Sequence, residues 1–131
     1  MTDFITIKSR TTPANLAKLI SSAPRNARGP MTEASAEVME KELEKYPPKP
    51  PKSRYIRTYR LRAGWGFINY GATTKIANIV PYSPFVQGDN TQAKIHRGRW
   101  RTVSQIAKAK MKAMVAAAEK ALSKYLRGVG L

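Results

Sequence analysis

Two runs of the chain gather the side chains best suited to act on another molecule. One spans Lys49 to Arg62 and carries Lys52, Arg54, Arg57, Arg60 and Arg62 among Tyr55 and Tyr59. The other spans Lys94 to Arg101 and carries His96, Arg97, Arg99 and Trp100. Guanidinium and ammonium groups neutralise phosphates and pair with carboxylates, and aromatic faces stack on bases. These runs therefore point to a polyanion or an acidic protein surface, without choosing between them. Lys94, Arg97, Arg99 and Arg101 are the candidate contacts for such a partner. A third run has the opposite sign: Glu33, Glu37, Glu40 and Glu44 recur at helical spacing, with Glu42 between them.

The same inventory argues against catalysis. His96 is the sole imidazole, and the arginines around it favour its neutral form. It reads as a hydrogen-bonding surface residue rather than a general base. Outside the glutamate run the acids are Asp3, Asp89 and Glu119, too scattered to gather a catalytic metal. Helix-surface glutamates without His partners make weak Mg²⁺ sites. Gly64-Trp65-Gly66 lies inside a strand pattern and lacks the helix that a phosphate loop requires. With no cysteine there is no disulfide framework, thiolate metal site or thiol nucleophile, which fits a reducing compartment. The expectation is a protein that is not an enzyme and needs no cofactor.

Charge and length frame these groups. The chain has 131 residues, the size of a single domain, and 24 Lys and Arg against 8 Asp and Glu give +16. Five glutamates against Lys41 and Lys45 give the 31–46 segment −3, leaving +19 on the rest. Such a division suggests head-to-tail contact between copies, in which Glu33, Glu37, Glu40 and Glu44 of one copy meet Arg57, Arg60 and Arg62 of the next. The plainer alternative is an ordinary solvated helix face. No apolar stretch is long enough for a membrane span, so no membrane partner is expected. The first residues do not read as a secretory signal, although the acid-free stretch 4–31, with Lys8, Arg10, Arg25 and Arg28, has the composition of an organellar transit peptide.

The elements that must position these groups can be read in order. Residues 3–8 are rich in β formers and suit an edge strand or an arm. Thr12-Pro13 opens a short helix that Pro24 ends near Ser22, and 24–30 reads as a loop because of Pro24, Asn26, Gly29 and Pro30. A second helix is expected over 32–46, followed by a stiff Pro47–Pro51 connector. From Tyr59 the pattern alternates, with Leu61, Ala63, Trp65 and Phe67 on one face of a strand. Asn69-Tyr70-Gly71 supplies a turn, and 74–80 completes a hairpin. A Thr102–Gln105 capping box opens a long C-terminal helix that closes near Gly128. The small residues Ala113, Ala116, Ala117 and Ala118 would let that helix pack closely.

The fold class is therefore α+β: N-terminal helices, a small antiparallel β-sheet and a long C-terminal helix packed on the sheet. Within one domain, 1–30 forms an arm and short helix, 31–52 the acidic helix and connector, and 53–131 the hairpin and C-terminal helix. The expected core is Leu61, Trp65, Phe67, Ile76, Phe85, Ile106, Met114 and Leu122.

Several of these segments together resemble a known family. They are Arg57-Thr58-Tyr59-Arg60-Leu61-Arg62, the strand ending at Trp65, the run Asn78 to Gly88 with Tyr82 and Phe85-Val86, and His96 to Trp100 leading into the last helix. Over roughly residues 55–126 they resemble the small neck and tail-completion proteins of tailed phages, the minor tail components of head–tail joining. The sequence departs from that pattern at Tyr59, where Gly is usual, and at Gly88, which follows Val86 one residue early. The resemblance implies a structural virion protein that forms a sixfold or twelvefold homo-oligomeric ring around the DNA channel. Its partners would be portal or adaptor and tail proteins, with possible contact with genomic DNA. The alternative is a nucleic-acid-binding protein of ribosomal type, which the net charge fits equally well.

Overall fold

The computed structural model describes residues 2–7, 14–47 and 60–130, with side chains from 16–47 and 60–130. Ten short elements follow one another among these residues. They are β1 (Thr2–Ile7), α1 (Ala14–Ser22), α2 (Arg25–Leu43), α3 (Arg60–Ala63), β2 (Trp65–Tyr70), β3 (Thr73–Asn78), α4 (Ser83–Gln87), a 3₁₀ turn (Lys94–His96), α5 (Val103–Ala109) and α6 (Met111–Gly128). The architecture is α+β, as expected. The sheet has three antiparallel strands in the order β1-β3-β2, so β3 is central. Phe67 lies opposite Ile76 and Trp65 opposite Asn78, while β1 pairs with the other edge of β3 across an irregularity between Asp3 and Ile5.

Helix α2 organises the molecule. Its apolar positions Ala27, Met31, Ala36, Met39 and Leu43 are all fully buried. It touches β2 and β3 and makes its broadest contact with α6. The C-terminal helix thus joins the sheet's core largely through α2. That core combines Trp65 and Ile76 from the sheet, Leu16 and Ile20 from α1, and Val103, Ile106, Met114 and Ala118 from α5 and α6. Buried polar groups tie the layers together. Thr32 and Thr74 share a hydroxyl–hydroxyl hydrogen bond at 2.9 Å, and Ser35 Oγ donates to the Met114 carbonyl at 2.9 Å. Each satisfies a group that burial would otherwise penalise by about 1–3 kcal/mol.

Several expectations need correction. Residues 24–30 are not a loop: α2 begins at Arg25 and runs through Gly29 and Pro30. The alternation from Tyr59 does not make one strand. Residues 60–63 form a helical turn, and the strand starts at Trp65. The hairpin turn sits at Gly71-Ala72 instead of Asn69–Gly71, with Gly71 at φ +62°, which lets so tight a turn follow the strand twist. The single C-terminal helix is two, α5 and α6, divided at Lys110 (φ −103°, ψ 10°). Gly128 is the last helical residue, and the left-handed glycine is Gly130. Of the four alanines proposed for close packing, Ala118 is fully buried, Ala117 half-buried, and Ala113 and Ala116 exposed.

The expected core holds with one exception. Leu61, Trp65, Ile76, Ile106 and Met114 are buried, and Phe67 and Leu122 are partly buried against them. Phe85 is 56% exposed. The short helix α4 turns Ser83, Val86 and Gln87 inward, and that turn sends Phe85 outward. A second, smaller core of Leu61, Val80 and Val86, flanked by Tyr46 and Trp100, lies beneath this region.

Candidate interaction surface

The segment from Gly88 to Arg101 is irregular, so its backbone groups need partners from side chains. They find them. Gln92 Nε2 donates to the carbonyls of Val86 (2.8 Å) and Trp100 (2.9 Å), using both amide hydrogens to hold the two ends of the segment together. Thr91 Oγ1 donates to the Pro84 carbonyl at 2.6 Å, and Gln87 Nε2 donates to the Arg101 carbonyl at 3.3 Å. Asp89 anchors the segment to α5, accepting from Ser104 N at 3.0 Å and from Ser104 Oγ at 2.5 Å. Gly98, at φ +79°, makes the sharp bend next to the arginines. A segment pinned this way presents its outward side chains from a defined backbone. Among them are Lys94, Ile95, Arg97 and Arg99.

Trp100 does not stand ready to stack on a base. It packs edge-on against Tyr46 with ring centroids 5.0 Å apart, closing the small core. The His96 ring stands nearly perpendicular to that of Trp100, with centroids 6.5 Å apart. Burial, and then the Arg99 charge, push the His96 imidazole below its ordinary pKa, so it is neutral at pH 7. Its Nδ1 is buried and has no hydrogen-bond partner. Beside this cluster lies a cleft of about 90 Å³ lined by Lys45, Tyr46, Gln87, Arg99, Trp100 and Arg101.

Arg101 has a different fate from its neighbours. Its Nη2 meets Glu42 Oε1 at 2.5 Å. Lys45 Nζ lies 2.8 Å and Lys110 Nζ 3.6 Å from Glu42 Oε2. Glu42 is only 7% exposed. Its hydrogen bonds with Lys45 and Arg101 hold its carboxyl down at about 2, against 4.5 ordinarily. This buried carboxylate draws the C-terminal end of α2, the basic segment and the α5–α6 junction onto one point. It was not singled out from sequence, yet the helical phase carries the signal. At 100° per residue, Glu42 falls about 170° from the middle of the other four glutamates, on the apolar side of the helix.

The other four stay together on the solvent side, within an arc of about 60°. Glu33 and Glu37 are exposed, and Glu40 and Glu44 half-buried. Burial, then the charges of Glu44 and Glu37, raise the Glu40 carboxyl above its ordinary value. Among the described residues, Lys41 is the cation that reaches this stripe, 3.4 Å from Glu37. Arg60 and Arg62 are exposed on α3, and Arg62 donates to the Glu44 carbonyl at 3.0 Å and covers the Tyr46 ring. Arg57 lies outside the described residues, as does the Pro48–Pro51 part of the connector. Lys94, Arg97 and Arg99 pair with no carboxylate among the described residues.

The described residues contain no group of three His, Cys, Asp or Glu that could hold a metal, and no described helix is long and apolar enough to cross a membrane. No protein-family model, curated protein or solved structure matches the chain.

Proposed function

We propose that this chain is a structural, non-catalytic subunit of a phage neck or tail. It would form a homo-oligomeric ring of sixfold or twelvefold symmetry around the DNA channel, between portal or adaptor and tail proteins in the virion. The observation that carries this reading is the separation of opposite charge on one small chain. Among the described residues, the four-glutamate stripe on α2 meets one cation, Lys41. Of the arginines of the 94–101 segment, Arg101 alone pairs with a carboxylate among the described residues. Two complementary patches on one surface suit a heterologous contact, and a heterologous contact with the right rotation closes into a ring. The resemblance of residues 55–126 to head–tail joining proteins supplies the setting.

A second reading, a nucleic-acid-binding protein of ribosomal type, draws on Lys94, Arg97 and Arg99, which pair with no carboxylate among the described residues. The two separate in solution mass measured by light scattering after nuclease treatment, at low salt and at about 1 M salt, where surface charge is screened. A discrete multi-subunit species without nucleic acid is the expected result. A monomer that carried nucleic acid before nuclease, and lost it steeply with salt, would replace the ring reading with the second one.

A further inference from the structure

The least expected feature of the surface is a pair of large apolar side chains held in water by two elements that pack together. Phe85 on α4 is 56% exposed and Ile95 in the 3₁₀ turn is 71% exposed. The elements are locked to each other, since Ala93 N donates to the Phe85 carbonyl at 2.7 Å. Lys94, Arg97 and Arg99 follow on the same segment, exposed and without carboxylate partners among the described residues. An apolar centre with a charged rim is the ordinary anatomy of a protein–protein contact. Single exposed apolar residues are commonplace. A pinned apolar pair bordered by three unneutralised cations is less so.

The chain itself carries a surface of matching chemistry. The solvent face of α2 bears Glu33, Glu37, Glu40 and Glu44, with half-exposed Ala34 towards one side. The raised carboxyl of Glu40 reflects, after burial, the crowding of like charges there. Cations from outside would relieve that crowding. Copies of a chain at +16 otherwise repel one another, so a stable contact between them has to place opposite charges together.

We propose that Phe85 and Ile95, rimmed by Lys94, Arg97 and Arg99, form the docking knob that seats on the glutamate face of α2 in a second copy of this chain. The inference rests on the ring reading and deepens it. It also moves the basic half of the contact away from Arg57, Arg60 and Arg62 to the 94–99 segment.

The test uses two charge-reversed full-length chains. One carries Glu37→Lys with Glu44→Lys, the other Arg97→Glu with Arg99→Glu. Neither pair of residues belongs to the cores, and far-UV circular dichroism checks folding. In sedimentation velocity each variant alone is expected to be monomeric at concentrations where the unaltered chain assembles. An equimolar mixture should assemble again, because both junctions of an alternating array are then complementary. Misfolded variants could not recover on mixing, so recovery also settles whether they fold. Phe85→Ser with Ile95→Ser should weaken assembly tenfold or more, since two apolar anchors are lost.

If the unaltered chain assembles and either reversed variant assembles equally well alone, the knob is wrong and the ring reading stands. A mixture that stays monomeric also overturns the knob. If the unaltered chain is monomeric at every concentration, the ring reading falls, and the inference falls with it.

Discussion

At the scale of single residues, Glu42 decides most. A carboxylate this buried would carry a large desolvation penalty alone, and Arg101, Lys45 and Lys110 offset it. Removing the charge leaves three cations that can turn to solvent, since their side chains are 36–65% exposed. The expected loss for Glu42→Gln at pH 7 is therefore about 1–3 kcal/mol, below the larger figure for a fully buried pair. The sign of the pH dependence follows from the direction of the shift. A folded-state value near 2, against 4.5 ordinarily, means that the group stabilises the fold above pH 4.5. That contribution fades as pH falls from about 4.5 towards 2. Glu40 has the opposite sign, its carboxyl being raised, but both proteins keep it, so it cancels in the difference. Urea titrations of the unaltered chain and Glu42→Gln between pH 2 and pH 7 should therefore converge on acidification. A constant gap down to pH 2 would show that the carboxylate is not the source of the stability.

At the scale of elements, the Thr102 cap and the apparent breakers Gly29 and Pro30 show how far local signals reach. The Thr102 cap was legible because it is local chemistry: Gln105 N donates to Thr102 Oγ1 at 3.3 Å, and Thr102 N donates to Gln105 Oε1 at 2.9 Å. Thr102→Ala should remove about 1 kcal/mol, read from the denaturation midpoint, with little change in the slope. An unchanged midpoint would mean that the packing of Val103 and Ile106 alone sets the helix start. The start of α2 was missed because Gly29 and Pro30 look like breakers in isolation. In the fold, Gly29 lets the helix pass the hairpin turn. A Cβ there would come within 2.6 Å of the Gly71 carbonyl oxygen. The residues around it, Ala27 and Met31, are fully buried, and that packing outweighs the local cost of the proline. Leu61 and Trp65 misled for a different reason. A separation of four suits both a strand face and one helical turn, so buried positions at that spacing cannot distinguish the two. Phe85 was misplaced because hydrophobicity alone does not tell a core residue from an exposed one on a helix five residues long. In the candidate surface, the glutamate stripe and the basic segment were visible as charge patterns. The Glu42 centre and the Phe85–Ile95 pair depend on which way the folded chain turns them.

At the scale of the whole molecule, repulsion is the term that the fold has to survive. Twenty-four cations against eight acids disfavour the compact chain, where like charges are closer together than in the unfolded one. Ion pairs pull the other way. Among the described residues they are the Glu42 centre and the exposed Lys41–Glu37 pair, the latter contributing about 0.3–0.5 kcal/mol as an i,i+4 pair. Salt weakens both effects, and their ranges decide the balance. Repulsion is summed over many exposed charges at separations beyond the Debye length of about 8 Å at 0.15 M, so screening removes most of it. The Glu42 contacts lie at 2.5–3.6 Å around a buried carboxylate and are screened much less. Added salt should therefore stabilise the fold. Between about 20 mM and 500 mM NaCl, Tm should rise by about 3–8 °C, which corresponds to roughly 1–2 kcal/mol for a chain of this size. The Phe85→Ser/Ile95→Ser chain is the right protein for the measurement, since weakened association keeps mass action out of the result. In Glu42→Gln, which lacks the Glu42 ion pairs and whatever salt could take from them, the rise should be at least as large. A Tm that fell with salt would mean that surface ion pairs hold the fold together, and that the +16 is already balanced within the chain.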